Sequence, residues 1–451
     1  MVTKAQLGKL GLFDAKVPRY TSYPTAPHFA GGVSASQYSR WISKISPGAQ
    51  ISLYVHVPFC RRLCWFCACR TQGTKSDAPI IAYLQTLKDE LAMLARRLPE
   101  GVSLSRLHWG GGTPTLLSPA MMTDLAGAIR DVAPFAKGAE FSVEIDPNEI
   151  DGPRLDALAQ AGMNRASIGV QDFDPEIQAC IGRLQSYDIT RDAVVEIRAR
   201  DVPSLNADIL YGLPHQTRAR MTDSVQKLLS LNPDRVALYG YAHVPWMAKR
   251  QQLIPSDVLP TPQERLGLFE TARKLFVWDH YAEIGIDHFA IQSDSLSAAQ
   301  REGRLRRNFQ GYTDDPSEVL IGVGASSISR FPQGYAQNAA ATGAHTAAIR
   351  DGRFSTARGH KFSAEDRLRS RLIEALMCDF RVDAREIRDR FHIGKRRLDD
   401  LLTGVSGAFP GLLEVSKDGL FIPPDARPLT RIIARHLDAY ELDTAGHSSA
   451  I

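Results

Sequence analysis

The stretch ISLYVHVPFCRRLCWFCAC, residues 51–69, decides how the rest of the chain is read. Its first seven residues, ISLYVHV (51–57), are a β-branched, apolar run of strand length. Directly after it, four of the chain's six cysteines (Cys60, Cys64, Cys67 and Cys69) fall inside ten residues. A disulfide framework of a secreted protein spreads its cysteines through the chain, whereas a cluster this tight marks a metal site. Structural zinc draws its four ligands from two pairs on separate segments. The chain offers no second C-x-x-C outside this loop and no well-spaced histidine pair. Iron–sulfur clusters take thiolates from one tight loop, and with three ligands one iron keeps an open position for a substrate. Thiol chemistry therefore favours an iron–sulfur cluster over zinc or inert thiols. Cys180 and Cys378 stand alone and read as small buried hydrophobes.

Outward from this loop, short apolar runs alternate with amphipathic stretches. Strands are predicted at 51–57, 105–110, 140–146, 165–171, 205–212 and 235–241, and helices at 78–97, 118–132, 151–161, 187–200 and 217–230. The alternation predicts βαβ units and a parallel sheet. Periodicity does not choose between an open doubly wound sheet and a partial barrel. In both, ligands gather at the carboxyl ends of the strands. There the chain places the cysteines, Gly110-Gly111-Gly112, Glu144 with Asp146, Gln171, and Tyr241-Ala242-His243, with Asp208 inside the fifth strand. The expected division is an arm over 1–48, a core over 49–245, a core extension over 246–361 and a helical segment over 362–451. The extension holds a predicted helix at 262–284 and a strand at 319–329. In the last segment Ser363 with Asp366 reads as a capping box. Helices at 383–390 and 394–402 and a hairpin at 412–422 suggest a winged-helix-like module.

Composition narrows the class. At 451 residues the chain has room for two or three domains. Its 44% apolar and 23% charged residues are those of a soluble globular protein. Lys+Arg 54 against Asp+Glu 50 leaves +4, too little for a dedicated binder of nucleic acid or membrane surface. Residues 361–400 hold eleven Lys/Arg and nine Asp/Glu, so the winged-helix-like part lacks the basic excess of a DNA reader. No apolar run approaches the roughly 18 residues of a membrane span. The start, MVTKAQLGKLGLFDAK, has no long apolar stretch, so a cytoplasmic location is expected.

The spacing C-x-x-x-C-x-x-C after Tyr54-Val-His-Val-Pro-Phe resembles the radical S-adenosylmethionine (SAM) superfamily. Gly110-Gly111-Gly112-Thr113-Pro114-Thr115 resembles that superfamily's backbone platform for the methionine end of SAM. The glycines permit positive φ and close backbone approach, and they match neither a P-loop nor G-x-G-x-x-G. The resemblance narrows with PRYTSYPT (18–25), Cys67-Ala-Cys69, SIGVQDF (167–173), NADILYGLPHQT (206–217), YAH (241–243), RNFQGYT (307–313) and YAQN (335–338). From about residue 17 to about 385 the chain is similar to the oxygen-independent coproporphyrinogen III oxidase family.

That resemblance implies an α/β fold: a partial (β/α)6 TIM-like barrel with an N-terminal substrate-covering arm and a mostly helical C-terminal domain. It implies one 4Fe–4S cluster on Cys60, Cys64 and Cys67. The first SAM would lie at Tyr54, Gly111, Glu144 and Ile328. A second SAM would lie at Phe66, Gly112, Thr113, Gln171, Arg183, Asp208 and Ala242. The implied reaction is oxidative decarboxylation of two propionates of coproporphyrinogen III to the vinyls of protoporphyrinogen IX. A 5′-deoxyadenosyl radical starts it, a low-potential electron donor and an electron acceptor serve it, and neither nucleic acid nor membrane takes part. A monomer is expected. Without the resemblance, Glu144 and Asp208 would read as an ion pair and a turn cap, Arg183 as a surface charge, and Ile328 and Ala242 as packing. Bidentate arginine suits a tetracarboxylate substrate, which makes Arg19, Arg306 and Arg307 candidates. Two departures stand out. Ile291-Gln292 follow Asp287-His288-Phe289-Ala290 where the family has a basic residue and a proline, which puts a substrate contact in question, and Trp65 replaces a tyrosine. A haem-trafficking relative that keeps the cluster without the decarboxylase is the alternative; such relatives lack Cys69 and the PRYTSYPT arm, both present here.

Overall fold

The computed structural model describes residues 3–441 and 450–451. Strand β1 (Gln50–Val57) leads into helix α1 (Ala78–Ala95), then β2 (Ser103–Gly111), α2 (Pro119–Arg130), β3 (Phe135–Ile145), α3 (Gly152–Ala161) and β4 (Arg165–Gln171). α4 (Tyr187–Arg198), β5 (Ser204–Tyr211), α5 (Arg218–Leu229) and β6 (Arg235–Gly240) complete the repeat. The six strands lie side by side in chain order, each parallel to the next. A doubly wound sheet reverses its order part-way. An order that never reverses turns every right-handed crossover the same way and leaves all the helices on one face. The result is the partial (β/α)6 barrel.

Side-chain alternation agrees. Leu53, Val55, Leu107, Trp109, Phe141, Val143, Ile168 and Leu238 are buried under the helices. The residues between them (Tyr54, His56, Arg106, His108, Glu140, Glu144, Arg165 and Asp208) point to the other face. That inner face is polar and cross-linked, with Asn206 donating to Ser167 Oγ at 2.9 Å and His108 Nε2 lying 3.2 Å from Glu144 Oε1.

The sheet continues beyond residue 245. On β6 it adds antiparallel β8 (His288–Ala290) and β7 (Ala282–Ile284). On β1 it adds parallel β9 (Leu320–Val323), followed by antiparallel β10 (Ile328–Phe331), β11 (Gly334–Asn338) and β12 (Thr356–Lys361). Two expectations change in detail. The helix expected over 262–284 is α6 (Pro262–Trp278), ended by a turn with His280 at φ 64°, and its last residues form β7. The strand expected over 319–329 is two, broken at Gly324 (φ +97°), where a Cβ would lie 2.6 Å from the Tyr83 hydroxyl.

α7 (Ala364–Asp379) starts on the expected capping box, with Asp366 N donating to Ser363 Oγ at 3.0 Å and Ser363 N to Asp366 Oδ2 at 2.8 Å. α8 (Ala384–Phe391), α9 (Lys395–Ala408) and a three-stranded sheet of 381–383, 414–416 and 419–421 form the winged-helix-like module. α10 (Thr430–Arg435) then meets the N-terminal arm. Arg431 Nε donates to Pro18 O at 3.1 Å, Ala439 N to the Tyr23 hydroxyl at 2.9 Å, and Tyr20 to Asp438 at 3.0 Å. Part of the 362–451 segment, residues 442–449, lies outside the described residues.

The amino end of the barrel is closed by charge. Glu140 sits 2.9 Å from Arg106 and 3.1 Å from Arg165, and Arg106 also reaches Asp314 at 2.7 Å. Burial alone would raise the Glu140 carboxyl, but Arg165, Arg106 and Arg235 outweigh it and hold it down at about 2. A depressed carboxyl stabilises the fold above its unfolded pKa, and the stabilisation fades as pH falls through the folded value. Glu140→Gln strips the counter-ion from two part-buried arginines and is expected to cost about 3–5 kcal/mol at pH 7. In urea unfolding the gap to wild type should be full above about pH 5 and shrink steadily toward pH 2. A gap independent of pH would show that the charge of Glu140 contributes nothing.

Candidate active site

At the carboxyl end of the barrel, Gly110-Gly111-Gly112 ends β2 and lies against the start of the cysteine loop. Gly112 N donates to Val57 O at 2.8 Å and Thr113 N to Phe59 O at 2.8 Å. A Cβ on Gly112 would stand 2.5 Å from the Phe59 carbonyl oxygen, and one on Gly110 would stand 2.6 Å from Glu144 Oε1. Gly111 has φ +113°, a conformation side chains avoid, and its Cβ would meet the His56 ring at 2.5 Å.

Around this ledge three of the expected residues form one network. Glu144 Oε2 accepts from Gly111 N at 3.0 Å while Oε1 faces His108 Nε2. Tyr54 stacks on His108 with ring centroids 5.7 Å apart and its hydroxyl meets His56 Nδ1 at 3.0 Å. Burial raises the Tyr54 phenol and so does neighbouring Glu144. Burial would also raise Glu144, but the hydrogen bond and charge of His108 with the Gly111 amide bring it below its ordinary value, so it is ionised at neutral pH. Its side chain is 41% open to the barrel mouth. Ile328 begins β10, where its carbonyl approaches Gly322, the register partner of Tyr54 on β9.

A second group gathers round Arg183, whose side chain is 12% exposed. Nη1 lies 3.5 Å from Cys64 Sγ and 3.3 Å from Asp146, and Nη2 donates to Gly169 O and Gln185, both at 2.9 Å. Its buried Nε has no hydrogen-bond partner. Gln171, at φ 69°, ends β4 beside it. Asp208 faces Gly169 in register and accepts from Asn206 at 2.8 Å; burial pushes its carboxyl up to about 6. Phe66 and Ala242, far apart in sequence, share one donor, because Gln251 Nε2 reaches both carbonyls, at 2.7 and 3.0 Å.

All six cysteines are free thiols. Cys67 is drawn down to about 6, first by hydrogen bonding from Cys69 and then, against burial, by the charges of Arg250 and Arg183. Burial pushes Cys60 up to about 11. No three His, Cys, Asp or Glu side chains among the described residues close on a single ion. A four-iron cluster asks for something else, one thiolate per iron on a loop with cationic support. Free thiols on one loop, a guanidinium on Cys64 and an open carboxylate over a side-chain-free ledge fit such a cluster and an ammonium-bearing cofactor.

Of the candidate arginines, Arg19 and Arg307 line one cavity together with Arg265, Arg427 and Arg431. Arg306 does not: it is 31% exposed, 4.0 Å from Glu374, and donates to Leu305 O. Ile291 and Gln292 lie at the other end of the barrel, since Ala290 pairs with Arg235 at the start of β6, so that departure touches no group at the mouth. Trp65 packs against Gly182, where a Cβ would meet its ring at 2.8 Å. The polar period of two in YVHV and LHWG was the signal that could have added His56 and His108. Gln251 and the later arginines carried no local signal.

A model of the radical SAM superfamily matches residues 54–228, and the fold and the thiol loop define a radical SAM enzyme. The chain is 65% identical over 451 residues to an oxygen-independent coproporphyrinogen III oxidase of Paracoccus denitrificans, covering all of both chains. It is 60% identical over 441 residues to one of Cereibacter sphaeroides, covering 98% of each. The solved coproporphyrinogen III oxidase of Escherichia coli, described as a radical SAM enzyme, superposes with a TM-score of 0.89 at 34% identity, over 95% of this chain and 100% of that one. The chain belongs to the oxygen-independent coproporphyrinogen III oxidase family.

Gln251→Ala removes the amide that ties the cysteine loop to the 242–244 turn. It should lower stability by about 1–3 kcal/mol and speed tryptic cleavage at Arg62 or Arg70, read by mass spectrometry of timed digests. Cleavage at the wild-type rate would show that Gln251 does not secure the loop.

Proposed function

We propose that the barrel mouth decarboxylates two propionates of coproporphyrinogen III to the vinyls of protoporphyrinogen IX. The observation that carries the reading is the seating of the free-thiol loop against the glycine ledge, with Arg183 on Cys64 and Glu144 behind Gly111. Cys60, Cys64 and Cys67 would hold a 4Fe–4S cluster; when bound, the cluster and SAM supply the radical chemistry that removes a hydrogen atom from the propionate.

The chain's own residues bind and orient. Ionised Glu144, held by Gly111 N and His108, would offer its open side to the ammonium of a first SAM, which Tyr54, Gly111 and Ile328 would also hold. Arg183 would offer its guanidinium to the carboxylate of a second SAM, which Phe66, Gly112, Thr113, Gln171, Asp208 and Ala242 would also hold. Asp208, pushed up by burial to about 6, is still mostly ionised at neutral pH and accepts from Asn206. The arm and the C-terminal segment, clasped through Arg431, Tyr20 and Tyr23, keep water from the mouth. The electron left by each decarboxylation passes to an acceptor, and a low-potential donor starts each turnover. The reading includes a cytoplasmic monomer that uses neither nucleic acid nor membrane. No helix among the described residues is long and apolar enough to cross a membrane.

The test is anaerobic. The reconstituted chain with coproporphyrinogen III, SAM and a strong reductant should yield protoporphyrinogen and 5′-deoxyadenosine. Cys64→Ala should abolish both products and the cluster absorbance, while Cys69→Ser should retain about four irons per chain. Glu144→Gln should keep the iron and weaken SAM binding about tenfold. SAM cleavage with the tetrapyrrole untouched would replace the reading with another radical reaction.

A further inference from the structure

Helix α1 carries a carboxyl group into the interior that the barrel mouth does not use. The Glu90 side chain is 2% exposed, and burial pushes it up to about 7 against the hydrogen bonds it accepts. Its Oε2 accepts from Gly324 N at 2.7 Å, and its Oε1 from Asn338 Nδ2 at 2.8 Å. Asn338 Nδ2 also lies 3.0 Å from Gly324 O, which closes a ring of bonds around the turn. His345 Nε2, on the helix Thr342–Arg350, stands 3.4 Å from Oε2, and burial draws that imidazole down to about 4, so it is neutral at pH 7. A carboxyl this deep beside a neutral ring is costly where an apolar side chain would pack. Seven residues earlier on the same helix, the Tyr83 hydroxyl accepts from Ala325 N at 2.8 Å and donates to His56 O at 3.1 Å.

The turn held this way, residues 324–327, joins β9 to β10 through two left-handed positions, Gly324 at φ +97° and Ser326 at φ 63°. A residue other than glycine persists there only when its surroundings fix it. Ser326 Oγ lies 3.5 Å from His56 Nε2. His56 in turn meets the Tyr54 hydroxyl and fills the space that a side chain on Gly111 would take. Ile328 follows the turn directly. We propose that Glu90 and Tyr83 are positioning residues for the first SAM, holding the turn that braces His56 against the glycine ledge and sets Ile328 in place. The inference rests on the SAM reading above and deepens it. Both residues act through the turn and not on the cofactor. A carboxyl suits the task because donors from two segments, Gly324 and Asn338, converge on it, and its two oxygens fix their spacing.

The experiment uses the anaerobically reconstituted chain. SAM is titrated against the electron paramagnetic resonance signal of the reduced cluster, which reports the molecule bound there, and iron, kcat and the KM for SAM are measured alongside. Glu90→Gln leaves one acceptor for two donors, and Tyr83→Phe removes both bonds of the hydroxyl. Each should weaken SAM binding and raise its KM about tenfold, with kcat at saturating SAM nearly unchanged and about four irons per chain. Thr86→Val alters the same buried helix at its 3.4 Å contact with Thr346, away from the turn, and should bind SAM as wild type does. If one variant fails to fold, the other decides. Unchanged SAM affinity in either folded variant overturns the proposal. An equal loss in Thr86→Val, or iron lost together with SAM, overturns it as well, because the effect would then be one of general packing. A wild-type chain that holds its iron and binds no SAM overturns the SAM reading itself.

Discussion

Two backbone hydrogen bonds, Gly112 N to Val57 O and Thr113 N to Phe59 O, hold the end of β2 against the chain as it leaves β1. They require that nothing project from Gly112, since the Phe59 backbone occupies the place of a Cβ. With the ledge held there, the Gly111 amide is aimed at Glu144, and the cysteine loop starts from a rigid origin instead of a free strand end. Trp65 N donating to Ile181 O at 2.9 Å, and Gln251 spanning Phe66 and Ala242, then fix the far side of the loop. A loop carrying four thiols gains specificity only when both ends are secured, because ligand geometry is set by the shell behind the ligands.

The curled sheet supplies that shell. Because all the helices pack on one face, the other face can be polar along its length. A doubly wound sheet, covered on both sides, would have to bury Glu144, Asp208 and His108 under apolar helices. Here His108 and Glu144 link β2 to β3, and Asp208 accepts from Asn206, which also donates to Ser167 on β4. The same inner face serves two purposes by depth: matched charge around Glu140 at the amino end, and partly open groups round Glu144 and Arg183 at the carboxyl end.

Much of this was legible in the sequence, and the parts that were not share a cause. The six core strands are where the β-branched runs stand, and β4 spans the predicted residues 165–171 unchanged. The glycines and cysteines announced themselves because their chemistry is local. The choice between barrel and open sheet rests on strand order, which no window of sequence contains. Arg183 looked like a surface charge because its partners, Asp146, Gly169 and Gln185, are gathered by folding. Arg265 and Arg431 were silent for the same reason: each sits on an ordinary helix, and only tertiary packing turns them toward Arg19. Ile291-Gln292 shows the converse. A motif can run straight along the chain from the active end, at Asp287, to the opposite end within one short strand.

The near-neutral total of +4 conceals an uneven distribution. At the amino end the cations are answered, Arg106 by Glu140 and Asp314, Arg165 by Glu140, and Arg235 by Asp294 at 2.7 Å. At the cavity beside Tyr241, Arg19 donates to the Gly240 carbonyl, Arg265 to Tyr241 O and to Ile451, and Asp287 divides its charge between His288 and Arg307. A fold seeking only stability would use apolar side chains there, since buried ions rarely repay their desolvation. At both ends the desolvation of the guanidinium groups is offset by partners that only folding gathers, carboxylates of neighbouring strands at one end and distant loop oxygens at the other.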